Sequence, residues 1–188
     1  DPHQFVDDDG RVYFYWGCSA IEPIYGVELD PQTRQPLCQP IEMIAGKPIE
    51  HGYERVGENN STLPLSVEAA EAMLQVMLER AGKQGFQMSP SMRRNALGYC
   101  SKRPYIEGAW MTKHNGRYYL QYAFSGSQYN VYGDGVYESN SPLGPFTLAK
   151  NNPWSFNPGG FMPGAGHGST LRDQQGAYWH AATMRISL

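Results

Sequence analysis

The chain has 188 residues, of which 13% are aromatic and 18% charged, and a formal net charge of −3 at pH 7. That composition is too aromatic for a disordered chain and gives no reason to expect a polyanionic partner, so no nucleic acid is expected. No stretch approaches the roughly 20 consecutive apolar residues that cross a bilayer as a helix, so no membrane partner is expected.

The first element in chain order is a hairpin. In DPHQFVDDDGRVYFYWG, Asp9-Gly10 separates two apolar-rich runs, the pattern of a tight β-turn, and Val12 to Trp16 reads as its second strand. Asp7, Asp8 and Asp9 precede the turn glycine and are read as solvated turn residues. Ile24 to Leu29 is a further strand. The hairpin design recurs in EGAWMTKHNGRYYLQYA from Glu107, around Asn115-Gly116, and in HGSTLRDQQGAYWHAAT from His167, around Gln175-Gly176. Counting back nine residues from each turn glycine lands on Asp1, Glu107 and His167. A repeated hairpin with acid, acid and imidazole at one equivalent position predicts repeats arranged around an axis, with those groups converging near it.

The turn glycines are 106 and 60 residues apart, so the longer interval holds an insertion, at about 46–104. Within it Ser66 to Gly82 reads as the only clear helix. Ser66 is its N-cap, Gly82 its stop, and Ala70, Met73, Leu74, Met77 and Ala81 share one face. The methionines are read as cover for the outside of a β-domain, and Tyr53, Glu54 and Arg55 as a brace for the helix. The second repeat supplies four strands, at about 107–113, 117–124, 135–139 and 146–150, with Ser141 to Pro145 turning the last pair. In the third repeat, Tyr178 to Met184 is a strand. Four antiparallel strands repeated around an axis describe propeller blades. The predicted fold class is therefore all-β: about two and a half blades (about 1–45, 105–150 and a partial one at 160–188) with one inserted α-helix. The chain opens on Asp1 directly before a strand and stops just past the second strand of the third repeat, and it reads as a piece of a longer polypeptide.

No G-x-S-x-G, H-E-x-x-H or G-x-x-x-x-G-K-[ST] motif is present, so serine hydrolase, zincin and P-loop chemistries have no local support. Cys18, Cys38 and Cys100 contain no C-x-x-C pair to suggest zinc or redox work. The cluster of Arg93, Arg94, Lys102 and Arg103 is small and read as solvated. What remains is a pair of carboxyls facing a common axis. Two carboxyls in different environments can act as proton donor and ionised partner, the equipment for cleaving a glycosidic bond, and abundant Tyr, Trp and Phe offer sugar rings flat apolar faces.

DPHQFVDDDGRVYFYWG, IEGAWMTKHNGRYYLQYAFSG, SPLGPF and GAGHGS together resemble the family 43 glycoside hydrolases, over nearly the whole chain apart from about 45–104. The resemblance implies a five-bladed β-propeller that hydrolyses O-glycosidic bonds with inversion, in arabinose-, xylose- or galactose-containing polysaccharides. It implies Glu107 as general acid, Asp1 as the aspartate that tunes and orients that acid, and His167 as the histidine near the axis. In many members that histidine lies next to a bound calcium or its waters, so no cofactor is required but a structural calcium near the axis is an expectation. The general base would fall before residue 1, which predicts that these 188 residues alone are inactive. An extracellular or periplasmic location and an accessory carbohydrate-binding domain on the parent chain are further implications. Two other readings stand beside this one: a non-catalytic sugar-binding or scaffolding propeller, and another five-bladed glycosidase or glycoside phosphorylase.

Overall fold

Three left-handed glycines organise the backbone. Gly10, Gly116 and Gly176 have φ of +83°, +76° and +86°, the region a tight hairpin turn needs and a side chain resists. A computed structural model describes residues 1–186 of the chain. In it each of these turns closes an antiparallel pair: β1 (His3–Val6) with β2 (Val12–Trp16), β5 (Glu107–His114) with β6 (Arg117–Phe124), and β9 (Gly164–Arg172) with β10 (Tyr178–Met184). The first pair extends to β3 (Ile24–Leu29) and β4 (Ile41–Ile44), in the order β1-β2-β3-β4. The second extends to β7 (Gly133–Ser139) and the two-residue β8 (Thr147–Leu148), in the order β5-β6-β7-β8. The fold is thus all-β: two four-stranded blades and a two-stranded sheet of a propeller, with an insertion between the first two blades.

The first strands of the three sheets are neighbours. The rings of His3 on β1 and Trp110 on β5 lie 4.0 Å apart, and Trp110 Nε1 donates to the carbonyl of Thr170 on β9 at 3.0 Å. Between the two four-stranded sheets lies the main core, which includes Tyr13, Tyr15, Ile24, Met111, Leu120 and Phe124. β6 and β7 are buried on both faces, as their unbroken apolar runs predict for strands packed between sheets.

Three expectations need correction. First, Asp7 is not a solvated turn residue. Its side chain is 1% exposed and ion-paired to Lys113 of the next blade, and Tyr118 Oη donates to its Oδ2 at 2.5 Å. Burial would raise its pKa, but the bonds from Lys113 and Tyr118 outweigh that and hold it below the usual carboxylate value. Second, the insertion holds two helices, α1 (Val67–Arg80) and α2 (Pro90–Cys100). Ser66 and Ser89 cap them, each accepting the backbone N–H three residues on. The apolar face of α1 does not cover a blade: Ala70, Met73 and Leu74 form a separate small cluster with Met88, Leu97 and Cys100. Third, Tyr53, Glu54 and Arg55 brace the second blade, not the helix. Glu54 is fully buried and accepts from Tyr122 Oη at 2.5 Å, and Ser125 Oγ donates to the Glu54 and Arg55 carbonyls.

The Asp7 contact joins two blades through a buried charge, and deleting one partner of such a pair leaves the other uncompensated. Asp7→Ala is expected to lower the unfolding free energy by about 3 kcal/mol in urea denaturation. A loss under ~0.5 kcal/mol would mean that Asp8, 3.0 Å from Lys113, replaces it.

Candidate active site

Asp1, Glu107 and His167 stand at the starts of three neighbouring first strands, two of them at irregularities that re-aim the chain. β5 runs in register with β6 from His114 back to Trp110, then shifts before Glu107, which pairs with Ala123. Gly108, at φ +61°, lies in that shift. On β9 the register shifts between Ser169 and Gly166, around His167, whose φ is +50°. Bulges turn a side chain out of its ladder, and a left-handed φ on a non-glycine residue is kept only where the surroundings hold it. The neighbouring glycines allow the close approach. A Cβ on Gly108 would stand 3.0 Å from the His167 ring, and one on Gly166 2.7 Å from the Tyr132 ring.

These strand starts bring the sequence-derived candidates together. A carboxylate oxygen from Asp1, one from Glu107 and Sγ of Cys18 lie within 4.8 Å of one another. His167 Nε2 stands 3.9 Å from Asp1 Oδ2. Asp1, Cys18 and His167 are exposed and Glu107 is half-buried, so the group opens to solvent.

The two oxygens of Glu107 have different partners. Tyr132 Oη donates to Oε1 at 2.8 Å, and Cys18 Sγ donates to Oε2 at 3.3 Å. Burial, then the bond and charge of Glu107, push the Tyr132 hydroxyl far above its ordinary pKa, so it stays a donor. The same causes raise the Cys18 thiol. All three cysteines are free thiols. Cys18 reaches Glu107 because the next residue pairs with the one before the acid: Ser19 N–H donates to the Ile106 carbonyl at 3.3 Å, and Ile106 N–H to that of Ser19 at 3.1 Å.

Sequence reasoning singled out none of Cys18, Tyr132 and Asp134. A signal existed for Cys18. It lies eight residues past Gly10, as Phe124 lies eight past Gly116, where the second strand of a blade has run back beside the start of the first. Tyr132 and Asp134, at the entry to β7, had no such signal.

Asp134 is fully buried, and its Oδ2 accepts from the N–H of Gly168 at 2.9 Å and from Gln121 Nε2 at 3.1 Å. It thereby pins the residue next to His167. His180 Nε2 stands 3.5 Å from Oδ2, and both this nitrogen and Asp134 Oδ1 are buried without a hydrogen-bond partner. Burial raises the Asp134 carboxyl to about 7, against the bonds from Gly168 and Gln121, while burial lowers the His180 imidazole. Both shifts favour a neutral pair.

Calcium takes six to eight oxygen ligands. The cluster beside His167 offers two carboxylates and a thiol, a donor set that does not suit calcium. The calcium implied by the resemblance finds no oxygen-rich shell among the described residues, and no chemistry is derived through it.

The Asp134 shift has a definite sign in stability. Between pH 3.8, the ordinary aspartate value, and about 7, the folded chain keeps a proton that the unfolded chain has released, so this group's contribution falls as pH rises and is fully lost above that window. Asp134→Asn removes that fall. Relative to the parent, its unfolding free energy is expected to increase from pH 4 to 7 by more than ~1 kcal/mol. Parallel stability curves for the two proteins would mean that Asp134 ionises normally.

The comparisons with known proteins agree with this architecture. A sequence model described as "Glycosyl hydrolases family 43" matches residues 67–187. A xylosidase/arabinosidase 43A from Humicola insolens is 29% identical over 149 residues, covering 78% of this chain and 40% of that protein. A beta-xylosidase from Xylanibacter ruminicola is 27% identical, again over 78% of this chain and 39% of its own length. The chain thus spans about two fifths of the curated relatives it matches. Among solved structures, a thermostable family-43 glycoside hydrolase superposes with a TM-score of 0.62 at 20% identity, over 94% of this chain and 45% of that one. A xylan beta-1,4-xylosidase from Bacillus halodurans does so with 0.62 at 18%, over 100% and 27%. With two blades and a further sheet of the shared fold, and a family match over more than half its residues, this chain belongs to the glycosyl hydrolases family 43.

Proposed function

We propose that this chain carries the proton-donating half of a glycosidase active site, hydrolysing O-glycosidic bonds in plant-type polysaccharides or oligosaccharides of the xylosidase, arabinofuranosidase or galactosidase kind. The observation that carries the reading is the approach of Asp1 and Glu107, from adjacent blades, to within 4.8 Å. Glu107 is the general acid and delivers its proton to the leaving oxygen. Asp1 tunes and orients that acid, and His167 lines the axial side of the sugar site. Tyr132 holds Glu107 Oε1, which leaves Oε2 to face the substrate. The carbohydrate is met outside the cell or in the periplasm.

The spacing also bears on stereochemistry. An inverting acid and base stand about 6.5–9.5 Å apart, to leave room for water. Asp1 is too close to Glu107 for that office, so the general base is proposed to lie outside these 188 residues, and the chain by itself to be inactive. The distance does approach the ~5–5.5 Å of a retaining pair, which makes Asp1 as nucleophile the second reading.

Both readings are tested in the full-length polypeptide. Glu107→Gln is expected to lower kcat on unactivated oligosaccharides by about 10²–10⁴-fold. The loss should be smaller on nitrophenyl xylosides, arabinofuranosides and galactofuranosides, whose leaving groups need little protonation. Intact oligosaccharide turnover in the variant would remove Glu107 as donor. Proton NMR of the first-formed product is expected to show inverted anomeric configuration, whereas retention would assign Asp1 as nucleophile. A polypeptide that binds these sugars and cleaves none is a sugar-binding propeller. Tyr132→Phe removes a bond that favours the ionised carboxyl, so the alkaline limb of kcat/KM against pH is expected to move upward by roughly half to one unit. An unmoved limb with an unchanged rate would show that Tyr132 only packs.

A further inference from the structure

Beside the acid lies a cavity of about 260 Å³ that the proposed chemistry has not used. One wall comes from the β2–β3 connection of the first blade, with Trp16, Cys18 and Glu22, and the other from α2 of the insertion, with Ser91, Arg94 and Asn95. Resting on the function proposed above, we propose that this cavity is the leaving-group subsite, taking one uncharged sugar ring of the substrate.

Position is the first argument. Cys18 both lines the cavity and touches Glu107 Oε2, the oxygen that Tyr132 does not hold. When the bond from the anomeric carbon to the glycosidic oxygen breaks, the proton from Glu107 goes to that oxygen, and water supplies the new oxygen on the anomeric carbon. The departing ring hangs from the protonated oxygen, so it lies on the side of the carboxyl that gave the proton, the side where the cavity opens.

Size and chemistry agree. Ligand pockets for larger molecules run from about 300 to 1,000 Å³, so this one suits a single ring. Trp16 stacks on Tyr25 at 5.7 Å and 25°, which stiffens a flat apolar platform for the carbon face of a sugar. Asn95, Ser91 and the Arg94–Glu22 pair, 3.1 Å apart, supply donors and acceptors for hydroxyls. Because Arg94 and Glu22 neutralise each other, the cavity offers no free cation to attract a uronic acid.

The proposal also gives the insertion a task. α2 reaches the first blade at Gly98, where a Cβ would stand 3.4 Å from Cβ of Ala20. That contact sets Arg94 and Asn95, one turn earlier, against the mouth of the acid site. The two helices therefore build the wall that chooses what stands next to the cleaved unit.

The test uses the full-length polypeptide and the glycosyl unit it cleaves fastest, presented as its disaccharide and as its glycosyl fluoride, which has no second ring. Trp16→Ala is expected to lower the ratio of kcat/KM on disaccharide to that on fluoride tenfold or more. Since a half-buried tryptophan also supports the fold, Arg94→Ala, on the exposed face of α2, is the second variant, with an expected fall of three- to tenfold. Ratios within twofold of the parent in both variants would overturn the subsite. If the unmodified polypeptide cleaves neither compound, the glycosidase function itself fails and the subsite with it. A parent that cleaves both while the ratios stay fixed rejects the subsite alone.

Discussion

One buried carboxyl holds the axial loop in place. Asp134, on β7 of the second blade, accepts the N–H of Gly168 on β9 of the next sheet. That bond crosses between sheets at the residue after His167, whose left-handed backbone would otherwise relax. Two residues earlier, Tyr132 reaches Glu107 from the same turn. A segment of three residues thus sets both the orientation of the acid and the path of the histidine strand. The cost is a carboxyl with little access to water, which it meets by giving up its charge near neutral pH.

The blades are joined by a second kind of contact farther from the site. Lys113 and Tyr118 converge on Asp7, and Tyr15 Oη donates to the Pro142 carbonyl at 2.8 Å. Each satisfies a polar group inside an otherwise aromatic core, where an unpaired one would cost ~1–3 kcal/mol. These links keep the two first strands at a fixed spacing. Asp1 and Glu107 then meet without either being buried, which leaves the carboxyls accessible to a substrate. Glu54 performs the same service for the insertion, anchoring its near end to Tyr122 while its helices remain a separate small cluster.

Legibility followed the range of the interactions. The hairpins were legible because a left-handed turn glycine between apolar runs is a local signal, and the observed strands of the second blade begin and end within about two residues of those expected, apart from the short β8. The first helix was legible through its cap and stop. The second was missed: Ser89-Pro90 is a fair start, but Arg93, Arg94 and Gly98 blur the apolar stripe that marks a helix. The acidic run was misjudged for the opposite reason. Asp7 looks like its neighbours in sequence, and only a lysine 106 residues away makes it a buried ion.

By itself the amino-acid sequence determined the all-β repeat, its phase, and the equivalence of Asp1, Glu107 and His167, because hairpin turns and strand periodicity are written in adjacent residues. Only the tertiary structure decided that Tyr132 and Cys18 take one oxygen each of Glu107, that Asp134 holds the loop of His167, and that α2 closes a cavity beside the acid. Those contacts join residues from different strands and an inserted helix, and their partners are selected by how sheets pack across the core, which no local pattern encodes.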